Sequence, residues 1–172
     1  MTQPLLHLPT ERAGVHLKEL TVEANGQEFS DLVYANFLHL RQHGGQPESL
    51  SDEYESPEGY LKMGQVTEGV IEMGIFDQAT LVGFIALLTS DLVVPKGSAE
   101  VGYWLGSAYT GKGRATAAVR ALSAYAKPRY FPVFAQVTRT NQKSINVLER
   151  AGYKRTGINE EGKLVFELPK DS

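Results

Sequence analysis

The sequence predicts an α/β (α+β) fold, a single domain spanning residues 1–172 with a mixed β-sheet flanked by helices. Three observations carry that expectation. Residues 70–76 and 81–88 are apolar runs separated by Asp77-Gln78-Ala79-Thr80, which is the form of an antiparallel hairpin. Residues 99–105 (AEVGYWL) read as a strand entering a glycine-rich turn, a small-residue helix and another strand at 131–137. A strand–helix–strand unit implies a right-handed crossover and parallel pairing. Finally, 42% hydrophobic content over 172 residues is enough for one sizeable core.

The elements follow in order. Short apolar patterns at 5–8 and 15–20 suggest an early strand running into a turn. Over residues 26–40, Phe29, Leu32, Val33, Phe37 and Leu40 recur near the helical period. Gly44-Gly45-Gln46-Pro47 breaks that helix. An acidic polar stretch at 48–58 follows, and Pro57 can open another helix through Tyr60, Leu61 and Met63. That stretch is either a lid over a substrate entrance or a solvated connection. After the hairpin, Pro95 and Gly97 interrupt the chain before the 99–105 strand.

The helix after the glycines carries Ala115, Ala118, Val119, Leu122 and Ala126 as one apolar stripe, and Pro128 stops it. Asn141 can cap a further helix with Ile145, Val147, Leu148 and Ala151 as its apolar residues. Gly152 ends this helix. Residues 153–156 and 163–168 supply the last strands, with a turn at 159–162.

Composition narrows the chemistry. The formal net charge of -3 gives no reason to expect a nucleic-acid partner. The absence of cysteine removes disulfides, thiolate metal sites and cysteine nucleophiles. The four histidines have no metal-ligand spacing, and no nucleophile elbow is present. No apolar run reaches membrane-span length, and the N-terminus lacks a continuous apolar signal segment. A soluble cytoplasmic protein, monomeric or homodimeric, is expected.

The most informative stretch is Tyr109-Thr110-Gly111-Lys112-Gly113-Arg114-Ala115-Thr116. Its two glycines let the backbone curl and expose its amides. The following helix adds unpaired first-turn N–H groups and its positive dipole end. Together they form a seat for a phosphate or pyrophosphate, with an ordinary strand-to-helix loop as the alternative.

Read with its surroundings, this stretch is similar to a known family. Residues 100–105 (EVGYWL), then 110–118 (TGKGRATAA), then Asn141, Ser144, Gly152 and Tyr153 resemble, in order and spacing, the GNAT superfamily of acetyl-CoA-dependent N-acetyltransferases. The resemblance covers most of the chain and is nearest the branch containing the ribosomal-protein alanine N-acetyltransferases. One departure is Thr110, which stands where the family's phosphate motif often begins with glutamine or arginine.

The resemblance implies a GNAT fold whose sheet is centrally splayed, with acetyl-CoA as co-substrate and no metal. It implies that backbone N–H groups of Gly111, Lys112, Gly113, Arg114 and Ala115 hold the pyrophosphate. The strand end at Tyr103, Trp104 and Leu105 would pair with the pantetheine arm, and Asn141 would cap its helix and help bind the cofactor. Asn36 and His39 resemble the family's substrate-side helix, and Glu72 is a weaker candidate from the adjacent strand. Glu100 is the first candidate for the base, with a surface carboxylate as the alternative. Ser144 is the first candidate for the proton donor, with a local cap as the alternative. The expected acceptor is a primary amine, in its most specific form a protein N-terminus. A polyamine or other small amine, or a noncatalytic acyl-CoA-binding role, stands against it.

Overall fold

A computed structural model describes residues 4–42 and 56–170. One eight-stranded sheet organises the chain, in the order β1-β2-β3-β4-β5-β6-β8-β7. The strands are β1 (His7–Pro9), β2 (Val15–Glu19), β3 (Val70–Asp77), β4 (Thr80–Leu88), β5 (Ala99–Leu105), β6 (Val133–Val137), β7 (Lys154–Ile158) and β8 (Leu164–Glu167). Every neighbouring pair is antiparallel except β5 and β6, which run parallel. That exception is the crossover expected from the sequence.

The β5–β6 seam is short. Only Ala99↔Val133 and Glu100↔Phe134 are paired, and beyond Glu100 the two strands part. On its other edge β5 stays paired with β4 through Leu105. The sheet is therefore open at its centre, as the resemblance implied.

Helices cover both faces. On one face α4 (Arg114–Ala126) and α5 (Gln142–Arg150) pack against a core containing Val101, Leu122, Leu148 and Phe166. On the other, α1 (Val22–Ala35) and α3 (Pro57–Val66) enclose Phe29, Val33, Leu61 and Phe84. A short α2 (Phe37–Gln42) follows α1. Two-residue alternation sends Val101 and Leu105 of β5 into the first core and Trp104 against the second. The strand thus serves both layers.

Local signals explain where the helices start. Thr21 caps α1, its hydroxyl accepting from the Ala24 N–H, and Ser56 caps α3 through the Gly59 N–H. Asn141 caps α5, its side chain accepting from the Ser144 N–H at 3.1 Å. α4 has no such cap, since Gly113 occupies its N-cap with φ +74°. A side-chain cap contributes about 1 kcal/mol, whereas each fully buried leucine contributes about 1.5–3 kcal/mol. Packing of Ala118, Val119 and Leu122, all fully buried, is what holds α4 in place.

Several expected boundaries move. The first long helix starts at Val22 rather than near residue 26, because Thr21 supplies a cap, and it breaks at Asn36 instead of running on. β6 starts at Val133, after Pro132, which lacks a ladder donor. β7 starts at Lys154, while Tyr153 is buried in the core. The expected break at 44–47 and the acidic residues 48–55 lie outside the described residues.

Candidate active site

The central opening of the sheet forms a cavity of 760 Å³. It is lined from both faces, by α4 and α5 residues on one side and by His39, Tyr60, Phe84 and Trp104 on the other. Its lining therefore draws on both faces of the sheet beside the parting strands.

Gly111, Gly113, Arg114, Ala115 and Thr116 line one end. Gly111 and Gly113 both have positive φ, +77° and +74°, which glycine adopts without the Cβ penalty. The first helical hydrogen bond of α4 runs from Ala117 N–H to Gly113 O at 3.1 Å. The N–H groups of residues 114–116 precede that bond, and no side chain caps them. α1, α3 and α5 all receive a side-chain cap; α4, whose first turn lines the cavity, does not. Such an end suits a phosphate group.

The basic side chains of this loop are arranged differently from their backbone. Arg114 turns away to β3, with Nε donating to Asp77 Oδ2 at 2.6 Å and a second guanidinium nitrogen pairing with the same oxygen. It also donates to the Tyr109 carbonyl at 3.2 Å. Arg114 therefore fastens the loop to the β3–β4 turn, and its contribution to an anion is its backbone N–H. Lys112 is exposed and its side chain is off the cavity lining. Thr110 donates to the Ser107 carbonyl at 3.1 Å, which tightens the turn entering the loop. A threonine hydroxyl thus has a structural use at the departure from the family motif.

At the opening of the sheet, Glu100 occupies the last position of β5 that pairs with β6, and it lines the cavity. Ser144 lines it from the first turn of α5. The Tyr103 hydroxyl lies 2.7 Å from Ser144 Oγ and 3.2 Å from the Ser144 carbonyl oxygen. This contact ties β5 to the first turn of α5. Burial pushes the Tyr103 phenol above its ordinary pKa, against a smaller downward pull from the Ser144 hydrogen bond. Tyr153 lies deeper: its hydroxyl is 2.7 Å from Ser123 Oγ, and burial pushes it up to about 12.

The opposite end is aromatic. Trp104 and Phe84 are a direct cross-strand pair, stacked with ring centroids 6.0 Å apart. Tyr60 meets Phe84 edge-on at 6.0 Å. The sequence places Phe84 only within the apolar run of β4, and its relation to Trp104 depends on strand register. Glu161 also lines the cavity, at the β7–β8 turn, where Lys163 at 2.7 Å holds its carboxyl below the usual range. Among the described residues, Glu100 and Glu161 are the only carboxylates in the lining.

Of the residues singled out from sequence, the cavity brings together Glu100, Ser144, Tyr103, Trp104, Leu105 and Asn141, the loop residues apart from Lys112, and His39. It does not bring in Asn36 or Glu72. Asn36 is 8% exposed and works as a latch. Its Oδ1 accepts from Ser107 N at 2.8 Å and Ser107 Oγ at 3.1 Å, while Nδ2 donates to Leu32 O at 2.9 Å. Glu72 is 6% exposed beneath α3. A Cβ added to Gly64 would fall 2.1 Å from Glu72 Oε2, so that carboxylate occupies the space which a glycine leaves open.

The family profile for the Acetyltransferase (GNAT) domain matches residues 24–154. The chain belongs to the GNAT acetyltransferase family. YdaF of Bacillus subtilis, to which ribosomal N-acetyltransferase activity is provisionally ascribed, is 37% identical over 105 residues. That match spans 59% of this GNAT chain and 55% of YdaF, about half of the relative's length. Among solved structures, the Salmonella typhimurium acetyltransferase described as modifying the N-terminal serine of ribosomal protein L7/L12 has a TM-score of 0.79. It shares 17% identity, covering 96% of this chain and 100% of that one. An aminoglycoside acetyltransferase in complex with coenzyme A and kanamycin gives a TM-score of 0.69 at 20% identity, covering 89% and 92%. At such identities these structures speak to the GNAT fold alone. No group of three or more metal-ligating side chains is present among the described residues, and no helix there is long and apolar enough to cross a membrane.

Proposed function

We propose that this GNAT domain transfers acetyl from acetyl-CoA to the α-amine of a protein or peptide N-terminus, in the cytoplasm. The observation that carries the reading is the cavity at the parting of β5 and β6 beyond Glu100, whose lining includes both an uncapped helix end and an aromatic wall. Backbone N–H groups at the first end bind the pyrophosphate, and the free edge of β5 beyond Glu100 takes the pantetheine arm. When bound there, acetyl-CoA supplies an activated acyl carbon.

The residues then have separate tasks. The aromatic wall of Tyr60, Phe84 and Trp104 orients the acceptor and excludes water. Glu100 takes the proton that the amine loses as its nitrogen forms the new C–N bond. Ser144 gives its hydroxyl proton to the sulfur as the C–S bond breaks, and later regains one from solvent. The amine proton and the thiol proton balance, and no metal enters the scheme. Among the described residues the lining carries the carboxylates Glu100 and Glu161, the latter paired with Lys163, beside the aromatic rings, and that set suits a single amine on an extended chain.

The test is coenzyme A release with short peptides, polyamines and aminoglycosides, with mass spectrometry locating the acetyl group. The expected product carries acetyl on the peptide α-nitrogen, and Glu100→Gln lowers kcat by about 10²–10⁴-fold with little change in acetyl-CoA affinity. Turnover confined to polyamines would move the acceptor to the small-amine class. Acetyl-CoA binding without turnover across the panel would make this a noncatalytic acyl-CoA-binding protein.

A further inference from the structure

The pairing of Tyr103 with Ser144 gives the phenol a task that backbone contact with a cofactor does not require. We propose that Tyr103 is a positioning residue for the proton of Ser144, and this rests on the acetyl-transfer reading above.

The Tyr103 hydroxyl has one proton and two oxygens of the same residue within reach, Ser144 Oγ at 2.7 Å and Ser144 O at 3.2 Å. If the phenol donates to the carbonyl, the serine hydroxyl donates back to the phenol and its proton is engaged there. If the phenol donates to Oγ, the serine proton is released toward the cavity. Two rotors therefore set the direction in which one proton points.

Other contacts hold the pair still. The Ser144 N–H is bound by Asn141 Oδ1 at 3.1 Å, which fixes the backbone of residue 144 in the first turn of α5. Tyr103 is anchored in β5, whose ladder to β4 is continuous through this position. Its phenol resists ionisation because burial disfavours the phenolate. Tyr103 therefore stays protonated and keeps its hydrogen-bonded contact with Ser144.

The amine nitrogen bonds to the acyl carbon and loses a proton to Glu100. The C–S electron pair leaves with sulfur, which takes the proton of Ser144. The Tyr103 hydrogen bond stabilises the charge developing on Oγ until that oxygen is reprotonated by solvent in exchange with Glu100.

Tyr103→Phe removes one hydroxyl, and Ser144→Ala removes its partner. The proposal predicts that Tyr103→Phe lowers kcat with acetyl-CoA by roughly tenfold, the scale of one lost hydrogen bond of about 1.4 kcal/mol. The Kd of coenzyme A, measured by calorimetry, stays within about twofold because its backbone donors are untouched. The double variant should be no slower than Ser144→Ala alone, since the phenol acts through the serine.

Two truncated donors then separate chemistry from structure. With S-acetyl-N-acetylcysteamine, an alkyl thioester, both variants should be slow. With S-acetylthiophenol both should match the parent, because an aryl thiolate departs without a proton. Unchanged kcat in Tyr103→Phe beside a slow Ser144→Ala would overturn the proposal while leaving the serine acid intact. Unchanged rates in Ser144→Ala would overturn the serine acid and the proposal together. Equal slowing of Tyr103→Phe on both thioesters would reduce the phenol to a structural strut and overturn the proposal.

Discussion

One end of the cavity, at residues 111–116, is made of backbone; the other, at Tyr60, Phe84 and Trp104, is made of side chains. The difference decides what each end can recognise. Backbone N–H groups on a positive-φ loop favour any phosphate group that fits, and changing the side chains around them alters little. Aromatic rings held by register define a shape, so substitution there changes which acceptor fits. A fold that keeps the donor end constant while varying the acceptor end can serve many amines. The similar folds of an L7/L12-modifying enzyme and an aminoglycoside-modifying one are in keeping with this.

Substitutions at the two ends should separate cleanly. Gly113→Ala has the larger expected effect. A Cβ there would meet nothing closer than Arg12 Nη1 at 3.6 Å, so its penalty is conformational. Holding alanine at φ +74° costs about 1–2 kcal/mol, and the loop relieves that by rotating its amides out of line. The Kd of acetyl-CoA should rise about tenfold, with the acceptor KM unchanged. Titration calorimetry and steady-state kinetics together check this.

The smaller effect lies at the other end. Trp104→Ala removes the stack on Phe84 and the tilted contact with Phe29 at 6.1 Å. An aromatic pair contributes about 1 kcal/mol, so the peptide KM should rise roughly fivefold while acetyl-CoA affinity holds. Trp104→Phe, which retains a ring, should recover most of the loss. Equal loss of donor and acceptor affinity in either experiment would mean that the ends are not separately built.

The same contrast explains what was legible in the sequence. Gly111, Gly113 and Gly152 act through backbone geometry and Asn141 through a side-chain cap, all within a few residues, and a local motif carries such information. The hairpin, the crossover and both faces of β5 follow from alternation and spacing in the same way. Phe84 acquires its role only when β4 and β5 pair and place it opposite Trp104. Asn36 and Glu72 show the limit from the other side. Each is a polar residue near the right elements, but Asn36 reaches 71 residues along the chain to hold Ser107, and Glu72 fills the space over Gly64. A buried amide that latches two segments and one that binds substrate have the same sequence signature. The Arg114 side chain is illegible for the same reason, because its ion pair with Asp77 bridges the crossover loop and a turn 37 residues earlier.

A bisubstrate ligand, with the sulfur of coenzyme A joined through an acetyl linker to the α-nitrogen of a tripeptide, tests the central claim most directly. If one cavity crosses the sheet and receives donor and acceptor from its two ends, linking them makes the second binding event intramolecular. The conjugate should then bind at least about 100-fold more tightly than coenzyme A in calorimetry. A conjugate that binds no more tightly than coenzyme A alone would contradict a single cavity serving both substrates.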